Sequence, residues 1–430
     1  MNPSIAESHG IVMATSPGLE ARGGFLGCLA EAYEGLSPGG RLVIYLDIPC
    51  PGENQGGEAQ SARRSMASSL VRRFGFETVT EAENAGGKRD VLASRPRTNY
   101  VALVCRRSSK QLRWRLTDLR VDNFEAFADL FLVVFGRPIG QALWRWKYAD
   151  GRGCAIAAWR GEQLIAHYGG NLRRVLAFGQ PISALQVCDA MVAPGERGIM
   201  TKTGAMFQVT AAFLELYQGL DGIPLAFGFP NRRAMRLGER LGLYAEVGAL
   251  CELRWPALGT RPRLSSRLSF VRGDDGSDGL VLGKLWEAMA RDLADGVIGV
   301  RDWPFLRHRY LNHPDRRYNL VLVRRRVTGT PLGLLVLHRE EEAVALMDLV
   351  APLKNIPLML VHARRLTGLW GLSTLYCWIT RQHASRFVTR DRAVRDIDVS
   401  IPTNAWVPQP LKPEQLSDRW WLTMGDTDFL

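Results

Sequence analysis

Apolar positions along this chain alternate between the period of a helix and that of a strand. Residues 25–36 have helical spacing, Ser37-Pro38-Gly39-Gly40 breaks it, and residues 41–48 form a largely apolar run of the kind buried on both faces of a parallel sheet. A short strand is expected at 11–14, an amphipathic helix at 62–74, and strands at 76–80 and 100–105. After the first strand the order is αβαββ, which is that of an open, doubly wound sheet. Past a linker at 108–111 the pattern changes. Residues 121–135 predict an amphipathic helix, and Trp144-Arg145-Trp146-Lys147-Tyr148 leads into a meander. Its strands are expected at 154–159, 163–168, 175–178 and 182–192, with turns at Arg160-Gly161-Glu162 and Gly179-Gln180. A helix at 200–217, a strand at 225–229, a helix at 231–241 and a last β pair near 245–255 complete a mixed α/β set.

The theme then recurs. After a polar, Pro- and Gly-bearing stretch at 256–277, residues 280–293 are helical and 318–324 and 331–338 read as strands. Arg145-Trp146-Lys147-Tyr148 is echoed by Arg307-His308-Arg309-Tyr310. Asp189-Ala190-Met191-Val192-Ala193-Pro194 is echoed by Asp348-Leu349-Val350-Ala351-Pro352. Echoes this far apart indicate duplicated domains, not a solenoid. The expected division is an α/β half-Rossmann segment at 1–110, a mixed α/β domain at 112–258, and a degenerate copy with a C-terminal tail at 268–430. A length of 430 residues agrees with two or three cores.

Seven scattered cysteines with no CxxC pair read as buried thiols of a reducing compartment, with no metal site expected. The N-terminal MNPSIAESHG lacks the order of a secretory signal, and no window approaches a membrane span, so a cytoplasmic protein without a membrane partner is expected. The net charge of +12 favours an anionic partner, although the arginines are spread along the chain. The densest cluster is Arg324-Arg325-Arg326.

The chemistry concentrates in Cys188–Gly204, CDAMVAPGERGIMTKTG. An apolar strand ends at Pro194, a turn carries Arg197-Gly198, and an amphipathic helix follows. Free amides in a helix's first turn, with the helix dipole behind them, hold a diphosphate well. Gly198 allows close approach, Arg197 and Lys202 add charge, and Thr201 and Thr203 add hydroxyl donors. A second stretch follows, Phe229-Pro230-Asn231-Arg232-Arg233-Ala234, running on to Leu241-Gly242-Leu243.

Together these stretches resemble the GNAT family of acyl-CoA N-acyltransferases, well over 112–256 and weakly over 268–400. The resemblance implies an acetyl-CoA or other acyl-CoA cofactor. Its pyrophosphate would be held by Arg197, Gly198, Ile199, Met200, Thr201, Lys202, Thr203 and Gly204. Met191 and Val192 would supply oxyanion donors, and Asn231 would lie beside the pantetheine. The sequence departs from the family at Gly195 and Met200 in the loop. It departs again at Gly238, where many members carry a tyrosine that serves as general acid. For the base or nucleophile the residues to weigh are Asp189, His167 and Cys188. A carboxylate in an apolar strand must be paired or functional, so Asp189 is either a base or a brace of the sheet. His167 has the setting of a satisfied core histidine, and Cys188 that of an inert thiol. In the second copy, APLKNIPLML lacks the Arg and Gly of the loop. In the tail, Asp426, Asp428 or the Leu430 carboxylate is a further group to test against the acyl site.

The first 110 residues resemble the C-terminal half of a class I S-adenosylmethionine-dependent methyltransferase. The resemblance is carried by Leu36-Ser37-Pro38-Gly39-Gly40-Arg41-Leu42-Val43-Ile44 and by Tyr100-Val101-Ala102-Leu103-Val104-Cys105. The family's Gly-rich cofactor loop has no counterpart, so no S-adenosylmethionine is expected. The function expected is acyl transfer from acyl-CoA, or from an acyl carrier protein's pantetheine, to a small-molecule or sugar amine in a biosynthetic setting. Two alternatives stay open. One is a Fem-like transferase using aminoacyl-tRNA, the only nucleic acid then expected as a partner. The other is a non-catalytic scaffold.

Overall fold

The computed structural model describes residues 9–13, 19–47, 56–79, 100–110, 112–119, 121–197, 201–219, 222–259, 264–273, 276–387, 389 and 391–427. They form two compact units that do not follow chain order. The first holds Met1–Asn171, Val187–Pro224 and Trp406–Gln409; the second holds Leu172–Gln186, Leu225–Ala405 and Pro410–Leu430. Among the described residues no helix is long and apolar enough to cross a membrane.

In the first unit, β1 (His9–Met13), β2 (Arg41–Asp47), β3 (Phe76–Thr78) and β4 (Tyr100–Arg107) form a sheet of order β1-β2-β4-β3. Only β1 and β2 are parallel; β4 runs antiparallel to both its neighbours. A parallel join needs a crossover helix, and residues 80–99 carry no apolar helical period. Helices α1 (Leu19–Gly35) and α2 (Gly56–Arg73) accompany this sheet. An antiparallel meander follows, made by β5 (Arg115–Asp118), β6 (Gly153–Arg160) and the first part of β7 (Gln163–Ala177). The strands expected at 163–168 and 175–178 are one strand. Its polar middle stays extended because Asn171 donates its side-chain amide to the Lys147 carbonyl oxygen at 2.7 Å.

Helices α3 (Phe124–Phe135) and α4 (Gln141–Tyr148) bury Phe127, Leu130, Phe131, Trp144 and Tyr148 against that meander. The Phe127 and Trp144 rings lie 4.1 Å apart. Strand β8 (Gln180–Val192) leads back to α5 (Ala205–Tyr217), which is buried along most of its length. This helix starts five residues later than its apolar pattern suggests. Gly204 is extended, with ψ 149°, and its amide donates to the Thr201 carbonyl oxygen at 3.0 Å, closing a turn first.

Burying α5 brings Glu215 into the interior, where Ser69, Arg73 and Trp406 satisfy it. Arg73 reaches both carboxylate oxygens, at 2.8 and 2.9 Å, and Ser69 and the Trp406 indole each donate at 2.9 Å. This pair ties α2 to α5.

The second unit is built on a seven-stranded sheet. Its strands are β10 (Tyr244–Pro256), β11 (Ser266–Phe270), β13 (Asn319–Arg325), β14 (Pro331–Arg339), β15 (Ala343–Val350), β16 (Thr374–Thr380) and β17 (Ala393–Asn404). The order is β11-β13-β14-β15-β16-β10-β17, antiparallel except at β15–β16. The β pair expected near 245–255 is the single strand β10. Gly248 sits beside a bulge against β17. Helix α6 (Arg232–Arg240) precedes β10. Inside it, a Cβ on Gly238 would lie 2.0 Å from the Tyr244 ring. The tyrosine expected at 238 is therefore absent because Tyr244 fills its space. The unit also holds helices α7 (Gly276–Asp292), α8 (Trp303–Leu306), α9 (Ile356–Leu369) and α10 (Pro413–Leu416) and the short strands β9 (Ala226–Phe227), β12 (Val297–Gly299) and β18 (Trp420–Trp421).

Replacing Glu215 by Ala strands the Arg73 guanidinium, only 10% exposed, and is expected to lower stability by about 3 kcal/mol. The measurement is the urea midpoint at unchanged m-value. Glu215→Gln, which still accepts hydrogen bonds, is expected to lose less.

Candidate functional site

The end of β8 carries the loop. After Val192 and Ala193, residues Pro194–Glu196 make a single 3-10 turn. Glu196 is buried there and pairs with Arg160 and, at 3.5 Å, with Arg113. Arg197 folds back so that its Nε donates to the Val192 carbonyl oxygen at 3.3 Å. Gly198, Ile199 and Met200 lie outside the described residues. Thr201 and Thr203 share a hydroxyl hydrogen bond at 2.8 Å, and Lys202 stacks its ammonium 5.0 Å from the Trp406 ring centroid. Gln208 donates to the Lys202 carbonyl oxygen at 2.6 Å. Gly204 caps α5 without a side-chain hydrogen bond. The first turn of α5 therefore presents amides of Ala205, Met206 and Phe207, which have no acceptor within the helix. The helix thus begins at Ala205 and not at Met200, and Thr201–Thr203 form a hydroxyl-lined turn before it.

Five residues before Pro194, Asp189 is buried at a left-handed backbone position, φ 49°. Aspartate tolerates that region better than most residues. Lys147 Nζ donates to Oδ1 at 2.7 Å and Tyr148 Oη to Oδ2 at 2.7 Å. Burial works to raise the Asp189 pKa, but the Lys147 ammonium and these hydrogen bonds hold it below the ordinary carboxylate value. Burial, and then the Asp189 charge, push the Tyr148 phenol well above its usual value. Cys188 Sγ lies 3.2 Å from Asn171 Oδ1 and 3.4 Å from Tyr148 Oη.

His167 Nδ1 lies 2.6 Å from the Asp189 carbonyl oxygen. A carbonyl oxygen can only accept, so Nδ1 carries the proton and Nε2 the lone pair. Nε2 is buried and has no hydrogen-bond partner among the described residues. Burial lowers this histidine's pKa to about 4. Asp189, Cys188 and His167 are thus brought together, and Met191 is buried in the same core. The sequence reading missed Lys147 and Tyr148 as members of this cluster. Their signal was the echo of RWKY by RHRY, each paired with a downstream Asp.

The echo is reproduced inside the second unit. Tyr310 Oη donates to Asp348 Oδ2 at 2.9 Å, and Arg301 Nε lies 3.2 Å from Oδ1. Asp426, which the sequence offered as a reactive tail group, is consumed here. It pairs with Arg301 and, at 3.1 Å, with Arg173, and it accepts the Thr423 amide at 2.9 Å. Asp428 and Leu430 lie outside the described residues. Asn231, also in the second unit, uses its side-chain oxygen to cap α6, accepting the Ala234 amide at 2.9 Å. Among the described residues no three His, Cys, Asp or Glu side chains are grouped to hold a metal ion.

Residues 115–245 match the acetyltransferase (GNAT) domain family. A conserved protein of unknown function from Enterococcus faecalis V583, described as a probable N-acyltransferase, is similar in structure. It has 13% identity and a TM-score of 0.51, over 67% of this chain and 72% of that one. The GCN5-related N-acetyltransferase from Anabaena variabilis ATCC 29413 gives 14% identity and a TM-score of 0.52, over 68% and 73%. Saccharomyces cerevisiae N-myristoyltransferase with bound myristoyl-CoA gives 10% identity and a TM-score of 0.47, over 75% and 87%. No curated protein matches the chain. Residues 115–245 thus match a GNAT domain within a mixed α/β fold.

The His167 environment makes stability depend on pH. Its folded pKa of about 4 lies below the ordinary 6.5, so unfolding takes up a proton between those values. Its contribution is intact above the unfolded pKa and is lost as pH falls through the folded one. The stability difference between the wild type and His167→Gln is expected to shrink as pH is lowered from 7 toward 4. Denaturation curves across that window check it; a constant difference contradicts the buried neutral histidine.

Proposed function

We propose that this chain moves an acyl group from acyl-CoA, or from a carrier protein's pantetheine, to an amine of a small-molecule or sugar acceptor in a biosynthetic pathway. The reading is supported above all by the segment 187–217 of the first unit. There a strand ends, a hydroxyl-lined turn follows, and a helix starts without a side-chain cap, inside the segment matching the GNAT family. A diphosphate is the group such a corner suits, because it accepts several amides at once.

In the transfer, the amine nitrogen attacks the thioester carbonyl, the C–S bond breaks, and the amine gives up a proton. Asp189 has both carboxylate oxygens occupied by Lys147 and Tyr148, which favours a positioning role. Cys188 has its thiol hydrogen-bonded to Asn171. Of the three expected groups, His167 keeps an unoccupied polar atom, and we assign it the proton. Met191 and Val192 remain the oxyanion donors of this reading.

Residues 268–430 are read as a degenerate second copy. The support is chemical: a tyrosine donates to a strand-end aspartate in both, Tyr148 to Asp189 and Tyr310 to Asp348. In the second copy the Leu353 amide, at the position of the loop, already donates to Asp292 at 2.7 Å. A resident carboxylate there disfavours a second anion. Residues 1–110 are read as a half-Rossmann module without its own cofactor, joined to the transferase segment by Arg73–Glu215.

The test is a thermal-shift panel on the full chain with acetyl-CoA, longer acyl-CoAs and S-adenosylmethionine. A CoA species at about 100 times its dissociation constant is expected to add about 2.7 kcal/mol of stability, and S-adenosylmethionine nothing. Gly198→Asp, which sets negative charge and bulk against a diphosphate, is expected to abolish the shift. An unchanged shift in that variant overturns the assignment of the loop.

A further inference from the structure

We propose that the second unit holds a separate pocket for a small organic phosphate. The pocket is formed where a turn of π-helix, Arg307–Leu311, follows α8 and the chain loops back toward β13. Together with Arg272 and Gly273 this segment encloses about 630 Å³, within the range of small-molecule sites and far more than a lone phosphate ion fills.

Its walls carry four guanidinium groups, from Arg272, Arg307, Arg316 and Arg317, and one carboxylate, Asp315. Among the described residues none of these five makes an ion pair. Elsewhere in the same unit Arg173, Arg301, Arg364 and Arg381 each hold an aspartate. Arg316 and Arg317, with Asp315, also line an adjoining depression that adds Asn319, His338, Arg339 and Glu340.

His313 reports the same field. Its Nδ1 accepts the amides of Asp315 and Arg316, at 3.2 and 3.1 Å, so the ring proton resides on Nε2. Burial, then the Arg309 and Arg316 charges, lower its pKa to about 3. It is a neutral donor at pH 7 beside several fixed positive charges.

A single carboxylate ligand leaves most of this charge unmatched. A phosphate monoester or diphosphate supplies two or more negative charges and the oxygen geometry that guanidinium forks grip in pairs. Leu311, Pro314 and the Tyr318 ring give the remaining wall an apolar character suited to an organic body. The pocket does not depend on the acyl-transfer reading.

The experiment is calorimetric titration of the full chain with ATP, inorganic phosphate, citrate and a single-stranded RNA oligonucleotide. ATP is expected to bind, with inorganic phosphate and citrate weaker. Arg316→Glu/Arg317→Glu is expected to weaken ATP by at least about tenfold per guanidinium removed, at unchanged unliganded thermal midpoint. Arg307→Gln, a milder change at an exposed side chain, is expected to weaken it in the same direction. ATP affinity is expected to persist in Gly198→Asp, the variant that tests the CoA loop, so each reading can fail without the other. The proposal is overturned if ATP does not bind or if the arginine variants bind it normally. It is equally overturned if inorganic phosphate or citrate binds as tightly as ATP, or if only the RNA binds.

Discussion

A carboxylate buried at the end of a strand is the constraint around which the first unit is arranged. Left alone, Asp189 would cost several kcal/mol to keep ionised away from water. Two consecutive side chains of α4, Lys147 and Tyr148, remove that cost by donating to its two oxygens. To do so α4 must lie on the meander, which brings Trp144 and Tyr148 into the core with Phe127. The backbone at Asp189 takes a left-handed turn, and its carbonyl oxygen receives the His167 proton. Asp189 therefore fixes a helix through its carboxylate and a ring tautomer through its backbone carbonyl oxygen.

The second unit solves the same problem with a different cation. The Arg301 fork reaches two aspartates, Asp348 and the tail's Asp426, while Arg309, the echo of Lys147, donates to the Gly425 and Thr427 carbonyl oxygens. Arg173 and the Thr423 amide complete the group, so the C-terminal turn is tied into the unit's interior. Burial raises the Asp348 pKa, with the Arg301 charge opposing it, whereas around Asp426 the Arg301 and Arg173 charges prevail and lower it. Arg301 thereby joins two carboxylates in one network, and Asp426, which looked reactive in the sequence, is structural.

Much of this was legible in the chain. Apolar rhythm located most of the helices and strands up to β14, because each buries one face, but it did not give β5, α4, β11 or the elements after β15. The paired echoes RWKY/RHRY and DAMVAP/DLVAP marked the residues that turn out to touch. What rhythm could not show was continuity. Asn171 to Arg174 looks like a break, but a side-chain amide from Asn171 to a neighbouring carbonyl keeps β7 in one piece. Residues 245–255 look like a β pair and form one strand instead, since β10 finds partners more than a hundred residues downstream. Glycine and polar residues report local freedom, whereas strand pairing is decided by distant segments. For the same reason Gly238 was read as a missing tyrosine, when its space is taken by the ring of Tyr244.

Charge was the least legible property, because composition sums what structure separates. The +12 excess looked like dispersed, solvated arginine. In the folded chain many arginines are neutralised one by one: Arg73 by Glu215, Arg160 and Arg113 by Glu196, Arg364 by Asp391. The pairs at Glu196 reach into the loop itself, because Glu196 ends the 3-10 turn of Pro194–Glu196. The arginines that line the concave wall of the second unit make no ion pair among the described residues. A cleft with low-dielectric walls strengthens the field of such groups, so the position of the unmatched arginines says more about ligands than their number does.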